Sequence, residues 1–158
     1  MNPMRKFTVA CTVAACLTYG AAMANIATYS TVLAGSNEVP PVATAATGTA
    51  SLALDTDTLL ATWTLEFTGL SSGQVGAHFH NAPAGANGGV VFGLPIGSPV
   101  NGIWAMTQGQ ADELAAGNIY VNVHSEDFPG GEIRGQMTQS GPVPNDEASF
   151  GAIKALFR

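Results

Sequence analysis

The sequence predicts an all-β fold, an immunoglobulin-like, Greek-key antiparallel β-sandwich with one short helix. Apolar and polar residues alternate over several short segments, as in "ATWTLEFTGL" (61–70), where Trp63, Leu65 and Phe67 share one face. Glycines and prolines, 19 and 9 in all, separate these segments at short intervals. Short alternating segments with turn-rich connections are typical of antiparallel sheets that bury one face.

Seven segments are predicted strands, taken here in chain order. The first covers residues 27–34, and the next two, "GTASLALD" (48–55) and 61–70, form a hairpin around a polar turn at 55–58. The others cover 74–80, 89–94, 118–124 and 132–138. One helix is predicted before the sixth strand. Thr107 is its N-cap, Gln110 completes a capping box, residues 111–116 favour helix, and Gly117 ends it.

The chain divides into three predicted regions: a signal peptide (1–24), one domain (25–140), and a linker with a short amphipathic tail (141–158). Arg5 and Lys6 precede an apolar stretch (7–22), and "AMA" at 22–24 has the form of a signal-peptidase site. An alternative is a lipoprotein box, "VAAC" (13–16), which would leave a lipid on Cys16. Either version predicts an exported protein that is periplasmic, cell-surface or secreted.

The tail "EASFGAIKALFR" (147–158) places Phe150, Ile153 and Phe157 at the i, i+3 and i+7 spacing of an amphipathic helix. Two interpretations stay open: a frayed terminus, and a segment for surface sorting or docking.

Composition limits the partners of the exported chain. Both cysteines lie within the signal peptide, so no disulfide is available and packing, with or without a metal, must hold the fold. From Asn25 onward, three Lys/Arg stand against eleven Asp/Glu, a formal net charge of −8. This charge argues against nucleic acid and anionic membrane surfaces as partners. No segment after the signal peptide is long and apolar enough to span a bilayer.

The three histidines are the candidate metal ligands: His78 and His80 in "QVGAHFH", and His124 in "IYVNVHSE". Side chains at i and i+2 of a strand share a face, so each strand is predicted to turn its histidines outward if its apolar residues enter the core. The predicted inward residues are Val75, Ala77 and Phe79 on one strand and Ile119, Val121 and Val123 on the other. Three neutral imidazoles suit copper or zinc. The competing interpretation is that the HxH pair simply faces solvent.

Arg134, in "EDFPGGEIRGQM", is the only basic residue of the predicted domain. It could bind an anion, or it could pair with Glu132 or Asp127, and the structural pairing is the expectation from the residues alone. The sequence shows no nucleophile elbow, phosphate loop or recognisable pair of catalytic carboxylates.

Three stretches resemble successive blocks of the CHRD domain: "LAGSNEVPPVATAATGTASLAL", "GLSSGQVGAHFHNAPAG" and "LAAGNIYVNVHSEDFPGGEIRGQM". Together they cover about residues 33–137. The family is named for chordin and is common in exported bacterial proteins. The resemblance implies an immunoglobulin-like β-sandwich and no established general activity.

A weaker resemblance is to the copper/zinc superoxide dismutases. His78 and His80 match their HxH copper ligands, His124 matches a later ligand in a V-x-V-H-like strand, and Arg134 matches a guiding arginine, which implies a catalytic role for it. The sequence departs from that family because it has no bridging histidine, no zinc-ligand loop and no disulfide. Any site implied here is therefore mononuclear and holds copper alone.

These observations lead to one main functional hypothesis and two alternatives. The main hypothesis is an exported protein that binds one copper ion through His78, His80 and His124. Its activity would be superoxide-dismutase-like or another redox activity, and as an enzyme it would be a copper-dependent oxidoreductase resembling superoxide dismutase. The first alternative is a non-catalytic module that contacts an extracellular protein or polysaccharide. The second is a periplasmic copper carrier, which shares the same site.

Overall fold

A computed structural model describes residues 25–141. The predicted signal peptide (1–24) and nearly all of the predicted tail (141–158) lie outside the described residues. The described chain contains no helix with the length and hydropathy needed to cross a membrane.

Within residues 25–141, nine strands and one α-helix confirm the predicted all-β class. In chain order they are β1 (Ile26–Ala34), β2 (Thr47–Asp55), β3 (Leu60–Thr68), β4 (Gln74–Asn81), β5 (Gly89–Gly93), β6 (Val100–Ala105), α1 (Gln108–Ala115), β7 (Ile119–Ser125), β8 (Ile133–Gln136) and β9 (Thr138–Gln139). A short 3-10 turn, Gly35–Asn37, follows β1. β6 was not among the predicted strands. Its alternation is interrupted by Gly102, on which the Trp63 ring packs so closely that a Cβ would lie 2.6 Å from Trp63 Cζ2.

The strands form one antiparallel sheet in the order β5-β4-β7-β8-β1-β2-β3-β6, with β9 added beside β1. This sheet curls on itself, so that its two end strands meet through side chains: Phe92 of β5 stacks on Trp104 of β6 with ring centroids 4.9 Å apart. Trp63 of β3 packs edge-on against Phe79 of β4 at 6.4 Å. The apolar core therefore lies between the two halves of one curled sheet.

The helix is built as the sequence predicts. The Thr107 hydroxyl accepts a hydrogen bond from the Gln110 backbone N–H at 3.3 Å, and the Gln110 side chain accepts one from the Thr107 N–H at 2.9 Å. Gly117, with φ of +76°, ends the helix and leads into β7. β7, which follows Gly117, holds one of the three histidines.

One register expectation is wrong. Val75 was expected to enter the core with Ala77 and Phe79, but it is 51% exposed, whereas the other two are buried. The pairing of β4 with β7 shifts between Gln74 and Gly76, so Val75 lies in an irregularity where the period of two breaks down. From Gly76 onward the predicted alternation holds, and it places both histidines of β4 on the face opposite the core.

Candidate metal centre

Two neighbouring strands bring the three histidines together. His78 and His80 lie on β4 and His124 on β7, and these strands pair in antiparallel register with Gly76 opposite His124 and Tyr120 opposite His80. His124 is therefore diagonal to His78. Gly76 has no side chain to separate them, and a Cβ there would lie 3.0 Å from His78 Cε1 and 3.7 Å from His124 Cδ2.

The spacing of the three rings fits one ion. Each histidine offers a ring nitrogen, and these nitrogens lie within 4.8 Å of one another. His78 Nδ1 and His124 Nε2 are 3.1 Å apart, so a metal bonded to both at about 2.05 Å would have an N–metal–N angle of roughly 100°. Tetrahedral coordination with bonds of about 2.1 Å places ligand nitrogens about 3.4 Å apart, so a pair separated by 4.8 Å would have to close by about 1.4 Å through rotation of the side chains.

Backbone carbonyls set which nitrogen of two histidines is free. His80 Nδ1 donates to the Gly88 carbonyl at 3.0 Å, and His124 Nδ1 donates to the Pro129 carbonyl at 3.0 Å. A carbonyl only accepts, so both rings carry their proton on Nδ1 and present a lone pair on Nε2. The Nε2 of His80 is buried without a hydrogen-bond partner. A buried lone pair without a partner, on a ring beside two other imidazoles, fits a metal ligand.

The three imidazoles are held in the neutral form that metals require. Burial lowers the pKa of His78. Burial also lowers the pKa of His80 and, more weakly, so do the nearby charges of His78 and Arg134, while the bond to Gly88 acts in the opposite direction. Burial lowers the pKa of His124 and, more weakly, so do the charges of His78 and His80, while the hydrogen bond to Pro129 acts in the opposite direction. Neutral imidazole is the ligating species, so these shifts favour metal binding near neutral pH.

The outer face that holds the histidines is covered by loops. His80 and His124 are each only 8% exposed, while His78 is partly exposed and is the ligand nearest to solvent. The prediction that the histidines lie on the face opposite the core is confirmed, but the interpretation that the HxH pair faces solvent is wrong for His80. The cover comes from the segments around Glu38, Gly88 and Pro129, each of which hydrogen-bonds a side chain of this face.

Arg134 also lies in this covered face, and its partners are not the carboxylates expected from the sequence. Its guanidinium donates to the Ala86 carbonyl at 2.9 Å and to Asn87 Oδ1 at 3.2 Å, and it lies over the Tyr120 ring at 3.5 Å. Glu132 instead accepts hydrogen bonds from Thr44 and Ser71. The expected pairing of Arg134 with Glu132 or Asp127 is therefore wrong. Its predicted catalytic role stays a prediction.

Two further residues of the covered face, Glu38 and Asn122, were not among the predicted site residues. Glu38 is 5% exposed, and its Oε2 accepts from Asn122 Nδ2 at 3.3 Å, while Glu38 Oε1 and Asn122 Oδ1 are buried without partners. Burial raises the pKa of Glu38 to about 7, although Arg134 and Asn122 act to lower it. Alternation places Asn122 on the outer face, directly opposite His78. Glu38 lies in a Pro-rich loop, where no periodicity signals its position.

A groove of about 970 Å³ lies beside this face, next to β8 and β1. Glu38 and Arg134 line it, together with hydroxyl and amide side chains that include Ser36, Asn37 and Ser51. None of the three histidines lines it. The groove is therefore separate from the metal-ligand cluster.

Comparison with known proteins gives one match. No curated protein and no solved structure is significantly similar to the chain. The family model of the CHRD domain matches residues 29–137, which is more than half of the chain and includes all three histidines, Glu38 and Arg134. The chain therefore belongs to the CHRD-domain family.

Proposed function

We propose that this CHRD-domain protein binds one copper ion through His78, His80 and His124. The observation that carries the proposal is the buried, unpartnered Nε2 of His80, whose tautomer is set by the Gly88 carbonyl and whose ring lies close to two other imidazoles. A buried lone pair without a partner is costly unless something binds it. Three uncharged nitrogen donors without thiolate or carboxylate favour copper, with zinc as the competing ion.

A redox role for the site is our leading proposal. Copper bound to three neutral imidazoles can accept and return one electron, and three protein ligands leave a coordination position open to a small molecule. The partly exposed His78 gives such a molecule a path, and superoxide is the substrate implied by the dismutase resemblance. A copper carrier is the second candidate, since the same partial exposure would let another protein take the ion.

The test is a titration of the purified, untagged protein with Cu(I), Cu(II) and Zn(II), each in competition with a chelator of known affinity. We expect one copper ion per chain, and a loss of that binding in each of His78→Ala, His80→Ala and His124→Ala. Gln74→Ala, on the same strand but outside the cluster, is the matched control and is expected to bind as the wild type does. Weak binding without a defined stoichiometry would rule out the proposal.

Two further assays separate the candidate roles. Superoxide consumption by the copper-loaded protein, lost in His78→Ala, would support the redox role. Transfer of the ion to an acceptor protein faster than its spontaneous release, without superoxide consumption, would support the carrier.

We also propose that the chain is exported, on the basis of the charged and apolar segments before Asn25. Mass spectrometry of the protein recovered from expressing cells tests this. An N-terminus at Asn25 is expected, a lipid on Cys16 would identify the alternative processing, and an intact Met1 would overturn the proposal.

A further inference from the structure

The His80 ring is one layer of a three-layer stack. The Tyr120 ring lies parallel to it, at 9° with centroids 4.9 Å apart, and the Arg134 guanidinium lies 3.5 Å from the Tyr120 centroid. His80 comes from β4 on one side of β7, and Arg134 comes from β8 on the other. The guanidinium and the imidazole therefore cover opposite faces of the same phenol ring.

Arg134 also holds the loop that fixes the tautomer of His80. Its guanidinium donates to the Ala86 carbonyl and to Asn87 Oδ1, the two residues that precede Gly88. Gly88 in turn accepts from His80 Nδ1 at 3.0 Å and donates its own N–H to Tyr120 Oη at 3.0 Å. The buried guanidinium therefore supports both groups that contact the His80 ring, the stacked Tyr120 phenol and the Gly88 carbonyl.

We propose that Arg134 is a positioning residue of the metal centre, which holds the His80 ring in place with Nε2 free. This inference rests on the proposed function in treating His80 as a ligand. Arg134 is 2% exposed, and its Nη atoms are already engaged by neutral oxygens, including Gln136 Oε1 at 3.1 Å. Because its donors are already used and the Tyr120 ring separates it from His80, the guanidinium acts on the site through its neighbours. Partners of ligating histidines commonly act in this way.

The metal-free protein allows a direct test of this inference. Long-range proton–nitrogen NMR correlations report which ring nitrogen carries the proton. In the wild type, His80 is expected as a single Nδ1–H tautomer. In Arg134→Gln, both supports of the ring are weakened, so a mixture of the two tautomers is expected. Arg134→Lys keeps the positive charge but lacks the planar fork that spans two acceptors, and it is expected to give the same mixture.

Leu54→Val is the matched control, because Leu54 is buried in the core on β2 and belongs to the half of the sheet away from the histidines. It weakens packing without touching the stack, so His80 is expected to keep the wild-type tautomer. If the two Arg134 variants are folded and also keep a single Nδ1–H tautomer, the inference is overturned. The Lys variant covers the case in which Arg134→Gln does not fold.

Copper binding provides the second readout. Both Arg134 variants are expected to bind copper about 10- to 100-fold more weakly than the wild type and to show a changed Cu(II) electron paramagnetic resonance spectrum, while Leu54→Val changes neither. Unchanged affinity and spectrum in the variants would overturn the inference and leave the proposed function intact. Absence of stoichiometric copper binding in the wild type would overturn the proposed function, and the tautomer measurement would then show only whether Arg134 holds the His80 ring in place.

Discussion

Replacement of Glu38 by Gln should change how the stability of the protein depends on pH. Burial raises the pKa of Glu38 from 4.5 to about 7. Between these values the unfolded chain has released the proton while the folded protein still holds it, so the free energy of unfolding falls as pH rises from about 4.5 through 7. At 1.36 kcal/mol per unit, the loss amounts to about 3 kcal/mol by pH 8.

The structure gives a physical reason for the retained proton. A proton on Glu38 Oε1 removes a buried charge and turns an acceptor that has no partner into a donor, while Asn122 Nδ2 still donates to Oε2. The amide of a Gln at this position offers the same donor at every pH. Glu38→Gln should therefore match the wild type near pH 4.5 and exceed its stability by about 3 kcal/mol at pH 8.

The assay is urea denaturation of both proteins at pH 4.5, 5.5, 6.5, 7.5 and 8, with a chelator present to remove metal. The lowered pKa values of the histidines also destabilise the metal-free protein as pH falls below 6.5, but they act on both proteins and cancel in the difference. A difference in stability that stays constant over this range would show that Glu38 titrates normally and would refute the reasoning.

Three further predictions concern the same face and its supports. Gly76→Ala places a methyl group 3.0 Å from His78 Cε1 and should weaken copper binding at least tenfold in a chelator competition. Gly93→Ala is the control, because Gly93 pairs with His78 from β5 and no atom lies near its Cβ, so this variant should bind as the wild type does. Equal affinities of the two variants would contradict the proposed ligand position. Burial alone would raise the pKa of Glu132, but hydrogen bonds from Ser125, Thr44 and Ser71 lower it below its usual 4.5, so Glu132→Gln should lose stability at pH 7. This deficit should shrink as the pH falls below 4.5, because the wild-type carboxylate is then protonated. A deficit unchanged at acid pH in urea denaturation would show that the carboxylate charge is not the cause. Thr107→Ala removes the N-cap of α1 and should lower the free energy of unfolding by about 1 kcal/mol while copper binding stays unchanged. A parallel loss of copper affinity would mean that α1 supports the metal site.

The sequence predicts much of the sheet because its signals are local. Alternation in 61–70 and 118–124 reflects which side chains meet the core, and the structure places Trp63 and Val121 there. The Thr107–Gln110 spacing marks a helix start for the same reason, since a capping box involves only four consecutive residues. Local signals fail at Val75, where an irregularity shifts the strand register. They also fail in β6, where Gly102 has no side chain to continue the alternation and the Trp63 ring packs in that space.

Most of the candidate centre follows from the same periodicity. The i, i+2 spacing of His78 and His80, together with the position of His124, was enough to place all three imidazoles on one face. Their burial was not predictable, because the segments around Glu38, Gly88 and Pro129 cover the face only after the chain has folded. For this reason the sequence left open whether the HxH pair faces solvent.

The sequence by itself determined the all-β class, the position of helix α1 and the face on which the histidines lie, since each depends on residues that are close along the chain. Only the tertiary structure decided that β4 and β7 are neighbours, that Arg134 stacks on Tyr120 rather than pairing with a carboxylate, and that Glu38 is buried against Asn122. These contacts join residues 14 to 84 positions apart. Local pattern cannot specify them, because they form only when the sheet curls and its loops close over the polar face.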